Sequence, residues 1–274
     1  MVISKELSTA IKASLEAGEA TLEFRTDNIE VVYKEDNSPL TKADLASNKI
    51  IHSYLEKLEY PILSEETKQG SYNERKAWTK LWVVDPIDGT KEFIKGRKEF
   101  TVNIALVEEN KSILGVVYAP VLETLYFAEK NCGAYMITDV TANNLDEKVD
   151  GNDCVQLPIK NSGNTLNIVM SKSHNNEDTL ALVSSVEEKL GKANKISFGS
   201  SLKLCKVAEG AADFYPRLGP TMEWDTAASH AIIKEAGRKI VKYPELTELE
   251  YNKEDLLNPF FLVFNDKVGG VIDG

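Results

Sequence analysis

Histidine and cysteine are scarce in this 274-residue chain, with three of each. The histidines form no H-x-x-x-H or HExxH pattern, which disfavours zinc chemistry. Cys132, Cys154 and Cys205 are odd in number and lack metal-ligand spacing, so a disulfide framework is not expected. A reducing cytoplasm is the simplest setting for them. Long apolar runs are also missing: none approaches the ~20 residues of a membrane span. The opening MVISKELSTAIKAS has neither the h-region nor the small-residue cleavage site of a secretory signal. The expected location is therefore cytoplasmic, with peripheral attachment at the inner face of a membrane left open. Positive charge is in short supply, 32 Lys and Arg against 43 Asp and Glu, a net charge of −11. A nucleic-acid duplex is disfavoured as partner, because neutralising its phosphates needs a basic face. A small phosphorylated molecule remains possible if metal ions or a local basic cluster supply the positive charge.

What is present is ordinary for a globular protein: 42% hydrophobic and 27% charged residues. Leu7, Ile11, Leu15 and Leu22 follow helical spacing and predict a helix over about 4–24. A short strand pair is expected around 29–33. "NSPLTKAD" then opens a second helix with Leu45, Ile51, Leu55 and Leu58 as its apolar face. "YPILSEE" reads as a strand ending in acids, and "LWVVDPIDGT" as a strand followed by a helix start. Residues 100–136 alternate like an antiparallel meander. Residues 138–165 are polar and irregular and mark the expected boundary between an α+β part, 1–160, and an α/β part, 161–274. Beyond it, strands LNIVMS, KISFG and DFYPR alternate with helices over 176–190, 200–209 and 225–236. The pattern points to layered sheets and helices.

Four acidic sites stand at element ends. Asp85 lies where a buried strand emerges, and Asp88 follows three residues later, with Pro86 stiffening the link and Gly89 permitting unusual backbone angles. Carboxylates this close repel unless a cation sits between them, and hard ions such as Mg²⁺ prefer oxygen ligands. A phosphate could then rest on the N–H groups of Gly89 and Thr90. The plainer alternative at Asp88 is a turn with a helix cap. Glu65 and Glu66 end another strand and could simply be solvated. Asp225 begins a helix as a cap would, and Thr41 with Asp44 resembles a capping box. Together these acids fit a phosphoester hydrolase that uses two or three Mg²⁺ ions. Ser200 near a helix start, with Lys203 one turn on, makes a plausible phosphate pocket.

"WVVDPIDGTKEF", with "ILSEE" upstream and "EWDTAASHAIIKEAG" downstream, resembles the inositol monophosphatase superfamily of Mg²⁺-dependent, lithium-sensitive phosphatases. Within it, "PLTKAD", "GTKEFIKGRKEFTVNIALV" and "GSSLKLCKVAEGAADFYPRLGPTMEWDTAA" are similar to the CysQ-type 3′(2′),5′-bisphosphate nucleotidases. The resemblance runs from about 38 to 237 and implies an inositol monophosphatase-like sandwich of alternating α-β-α-β-α layers. It implies metal ligation by Glu65, Asp85, the Ile87 carbonyl, Asp88 and Asp225, and a catalytic role for Glu65 beside Asp44 and Thr90, the pair that orients and deprotonates the attacking water. It also implies contacts of Ser200, Lys203 and Arg217 with the 5′-phosphate and nucleotide, and of Ser171 and His174 with the nucleoside side. The implied reaction is hydrolysis of adenosine 3′(2′),5′-bisphosphate to AMP and phosphate by a metal-activated water, clearing a by-product of sulfate assimilation.

Three other readings compete. An inositol or sugar monophosphatase of the same superfamily would share the metal site. A haloacid-dehalogenase-type phosphatase would space its acids by two, and here the spacing is three. A cation- or nucleotide-binding module without catalysis would not need Asp44 and Thr90. Oligomeric state is left open, as is any role for 138–156.

Overall fold

The computed structural model describes residues 3–25, 29–34, 37–151, 153–159, 165–171 and 176–272. Helix α1 (Lys5–Leu22) buries Leu7, Ile11 and Leu15, with Ala10, Ala13 and Ala17 between them. Ser4 caps it, its Oγ accepting the Leu7 N–H at 3.0 Å. Leu22 ends at the surface, and Thr21 turns inward in its place.

A hairpin of β1 (Val31–Tyr33) and β2 (Pro39–Thr41) leads into α2 (Lys42–Leu55). Here the inner face differs from the expected one. Leu45 is 50% exposed, whereas Asp44 and Ser47 are fully buried beside Ile51 and Leu55. The helix spends part of its inner face on polar groups because that face also borders the acidic cleft.

The chain then builds β3 (Ile62–Ser64), α3 (Tyr72–Arg75), β4 (Lys80–Asp88), α4 (Thr90–Ile94), β5 (Thr101–Glu108), β6 (Lys111–Ala119), β7 (Thr124–Glu129) and β8 (Gly133–Ile137). Next come α5 (Leu145–Asp150) and β9 (Val155–Gln156), regular elements inside a stretch read from sequence as irregular. Strands β3 to β9 lie side by side in chain order as a seven-stranded sheet, antiparallel except for the β3–β4 pair.

The second half continues with β10 (Leu166–Ser171), α6 (Glu177–Leu190), β11 (Ala193–Phe198), α7 (Leu202–Glu209), β12 (Phe214–Arg217), α8 (Glu223–Glu235), β13 (Lys239–Lys242), β14 (Phe261–Phe264) and α9 (Asp266–Ile272). Its sheet has the order β11-β10-β12-β14-β13. The last two strands had no counterpart in the sequence reading.

Alternation along the strands sets the layers. Trp82 and Val84 of β4 pack with α1 and α2, while Leu81 and Val83 face the opposite way, toward α7 and α8. Val169, Tyr215, Phe261 and Val263 of the second sheet share that middle layer, and Ile168, Phe214, Leu262 and Phe264 face α6 and α9. The result is helices, sheet, helices, sheet, helices: the α-β-α-β-α sandwich expected. One buried cluster spans both sheets through α7 and α8.

Candidate metal and phosphate site

The acidic cleft opens where β4 leaves its sheet. The pairing of β4 with β5 shifts register between Asp85 and Asp88, across Pro86, which has no N–H to give the ladder. The freed Pro86 carbonyl accepts a hydrogen bond from Ser47 Oγ at 2.8 Å, and Asp85 Oδ1 accepts the Ile87 N–H at 3.0 Å. Gly89 has φ 93°, in the left-handed region. A Cβ there would also come within 3.3 Å of the Glu99 carbonyl oxygen. This turn delivers Asp88 and Thr90 to the same side as Asp85.

Three further elements complete the cleft. Glu65 follows β3 directly, and its N–H bonds Val84 O at 3.1 Å, which sets it beside the end of β4. Asp225 is the third residue of α8, not its N-cap as expected; Met222 holds that position, and Asp225 accepts the Met222 N–H at 2.9 Å as the acid of a capping box. One carboxylate oxygen from each of Asp85, Asp88 and Asp225 lies within 4.8 Å of the others. Asp44 also keeps its capping role, Oδ2 accepting the Thr41 N–H at 2.7 Å and the Thr41 hydroxyl at 2.6 Å. Its other oxygen, Oδ1, faces the Thr90 hydroxyl at 3.3 Å, and that hydroxyl is also 3.2 Å from Ile87 O. Capping and presentation to the cleft are thus compatible in both acids.

Burial, and behind it the crowding of like charges, shows in the acidities. Burial first, then Glu65, Asp88 and Asp225, push Asp85 well above the usual carboxylate range. Burial and then Asp88 push Asp225 up to about 8. Asp44 is raised by burial, against the pull of its Thr41 hydrogen bonds. Burial raises Glu65 and takes Glu66 to about 7, with Lys34 opposing the rise in both. Lys34 reaches in from the end of β1, its Nζ 2.9 Å from Glu65 and 2.7 Å from Glu66. Burial alone would lower the Lys34 ammonium, but these two acids outweigh it and raise it. Lys34 had not been singled out by sequence.

The cleft encloses about 430 Å³ and is lined by Glu65, Asp85, Ile87, Asp88, Gly89 and Thr90, with Lys91, Glu92, Arg217 and Asp225 among the residues around them. Every donor in the acid group is an oxygen, the set that suits a hard divalent cation such as Mg²⁺ rather than zinc. The Arg217 Nε is buried and has no hydrogen-bond partner among the described residues, while its Nη2 donates to Pro220 O at 2.9 Å.

The other residues expected on the nucleotide side are placed differently. Ser200 is buried and faces Asp88 and Thr101. Lys203 Nζ donates to Ser200 O at 2.7 Å and lies 5.9 Å from the centre of the Tyr215 ring. Burial lowers its ammonium, partly offset by Asp88. Ser171 ends β10 outside the residues lining this cleft. His174 lies outside the described residues.

Comparison with known proteins gives a consistent picture. The family model described as "Inositol monophosphatase family" matches residues 3–259. The 3′(2′),5′-bisphosphate nucleotidase CysQ of Salmonella typhimurium is 41% identical over 244 residues, 86% of this chain and 89% of that protein. CysQ of Escherichia coli K12 is 40% identical over 258 residues, 90% of this chain and 94% of that one. Among solved structures, CysQ from Bacteroides thetaiotaomicron superimposes with a TM-score of 0.83 at 43% identity, covering 94% of this chain and 96% of the other. The Thermotoga maritima inositol monophosphatase TM1415 shares the fold, with a TM-score of 0.70 at 24% identity over 98% and 97% of the two chains.

Proposed function

The chain belongs to the inositol monophosphatase family, and on that premise we propose that it hydrolyses adenosine 3′(2′),5′-bisphosphate to AMP and phosphate with the help of Mg²⁺. The observation that carries this reading is the meeting of Asp85, Asp88 and Asp225 in one cleft with Glu65 and the Asp44–Thr90 pair. The relatives at 40–43% identity over most of both chains are CysQ proteins, the curated ones named as bisphosphate nucleotidases. Its place in metabolism is accordingly alongside sulfate assimilation.

Glu65, Asp85, the Ile87 carbonyl, Asp88 and Asp225 are the groups that would hold two or three ions. When bound, such ions make water acidic enough to ionise near neutrality and offset charge on the leaving oxygen. The chain supplies the rest. Asp44 Oδ2 already accepts two hydrogen bonds from Thr41, so Oδ1, which faces only the Thr90 hydroxyl among the contacts above, is the oxygen that takes a proton. The Thr90 hydroxyl, directed at Oδ1, passes that proton inward from the attacking water. The Gly89 and Thr90 amides hold the phosphate being removed. Arg217, a cationic side chain at the rim as Lys91 also is, meets the second phosphate. Ser200, Lys203, Ser171 and His174 complete the nucleotide side in this reading. Lithium inhibits the reaction. No helix among the described residues is long and apolar enough to cross a membrane, and the proposed location is the cytoplasm.

Steady-state kinetics of Arg217→Ala and Lys203→Ala test the substrate assignment. A nucleotidase loses kcat/KM for adenosine bisphosphate in both variants. Little effect in either would favour a monophosphatase with no second phosphate to hold.

A further inference from the structure

One oxygen of Asp88 carries an unusual load. Its Oδ2 accepts the Ser200 hydroxyl at 2.8 Å, the Ser201 N–H at 2.6 Å and the Ser201 hydroxyl at 2.7 Å. Ser201 is 1% exposed, and its hydroxyl also lies 2.9 Å from the main-chain oxygen of Asp225. Behind it, Asn103 of β5 donates from Nδ2 to Ser201 Oγ at 2.9 Å, while Thr101 donates to Asn103 Oδ1 at 2.9 Å. Asn103 is 1% exposed, so its amide has no water to fall back on.

The backbone is bent to make this arrangement. Ser200 has φ 55°, a left-handed conformation that non-glycine residues adopt at a cost. Gly199 before it leaves room that a Cβ would fill, 2.8 Å from Glu99 O. The bend turns both serine side chains and an amide onto the same carboxylate oxygen. A simple start to α7 needs none of that.

We infer that Ser201 is a positioning residue for the metal site: with Asn103 behind it, it fixes the carboxylate of Asp88 and ties it to the first turn of α8. The hydroxyl has one proton, and Asn103 occupies its acceptor side. The proton is therefore directed at Asp88 Oδ2 and the Asp225 carbonyl, the two chain segments that must keep their spacing. With Oδ2 held by three donors, Oδ1 is left to face a cation. Such outer contacts orient a ligand before the ion arrives, and losing one typically weakens metal affinity by about 10–100-fold.

This inference rests on the proposed metal role of Asp88 and Asp225, and one set of measurements separates the two. Calorimetric titration of metal-free protein with Mg²⁺, without substrate, is run on the wild type, Asp88→Asn, Ser201→Ala and Ser201→Thr, with metal-free melting temperatures alongside. The expected result is loss of affinity in Asp88→Asn, about 10–100-fold weakening in Ser201→Ala, and recovery in Ser201→Thr, which keeps the hydroxyl. Weakened binding in Asp88→Asn with wild-type affinity in Ser201→Ala would overturn the positioning role, even if the melting temperature fell. Wild-type affinity in Asp88→Asn would overturn the metal assignment beneath it. Should Ser201→Ala not fold, Ser200→Ala removes one of the three donors without orphaning Asn103. A few-fold loss of affinity there supports the inference, and no loss contradicts it.

Discussion

Gly115 of β6 lies directly beneath Ala228 of α8, so closely that a Cβ on the glycine would sit 1.9 Å from the Ala228 carbonyl oxygen. Three residues earlier on the same strand, Ser112 Oγ donates to Ala227 O at 2.7 Å. Helix α8 therefore rests on the sheet backbone to backbone, and its first turn carries Asp225 toward Asp85 and Asp88. Gly115→Ala is expected to lift the helix, costing about 1–3 kcal/mol or more from overpacking. Chemical denaturation checks the stability. Phosphate release should fall further than the loss of folded protein accounts for, because Asp225 moves with the helix.

Asp44 and Thr90 give a separate prediction. Asp44→Asn retains an oxygen to cap Thr41 but cannot take up a proton. The expected outcome is a fall in kcat of about 10²-fold or more, with the metal-free melting temperature nearly unchanged. Thr90→Val should lower kcat as well, since it removes the hydroxyl between Asp44 Oδ1 and Ile87 O. Stopped assays at saturating Mg²⁺ measure both.

The raised carboxyls predict how metal-free protein responds to pH. Asp225 titrates at about 8 in the fold against an ordinary value of 3.8, and Glu66 at about 7 against 4.5. Between those limits the folded state holds protons that the unfolded chain has released, so stability falls as pH rises from about 4 to about 8. Mg²⁺ offsets the charge of Asp225 and the acids grouped with it, so the melting-temperature gain on adding it should be larger at pH 8 than at pH 5.5. Equal gains at both would contradict the origin assigned to these shifts.

Lys34 is the cation already standing among these acids. Lys34→Met leaves Glu65 and Glu66 without their shared ammonium, 2.9 and 2.7 Å away in the intact site. Glu66 is expected to titrate higher still, and the metal-free variant to lose stability relative to wild type most strongly above pH 7. Thermal melts across pH read this directly.

The acids of the site were legible as a set because they lie at element ends, although each alone reads as a cap, a turn or a solvated pair. Asp85 closes an apolar strand, Pro86 and Gly89 mark the turn, and Thr41 with Asp44 is a helix start in its own right. The residues behind them were harder to find. Lys34 follows a three-residue strand, and nothing local says that the hairpin reaches Glu65. Ser201 reads as the start of a helix. Asn103 carried the one usable sign, a polar residue in the middle of "TVNIALV" whose alternation places it on a buried face. Alternating strands and helices pointed to layered sheets and helices, and the family resemblance to their α-β-α-β-α order; β13 and β14 were not read, although β12, equally four residues long, was. The inner face of α2 was misjudged at Leu45 because a rule that counts apolar residues cannot know that Asp44 is wanted inside.

The account turns on one comparison: rates of phosphate release from adenosine 3′,5′-bisphosphate, inositol 1-phosphate and fructose 1,6-bisphosphate, measured side by side with Mg²⁺ and with chelator. The predicted result is a clear preference for the adenosine bisphosphate, abolished by chelation and nearly abolished by Asp88→Asn. Preference for inositol 1-phosphate, or release that survives chelation, would contradict it.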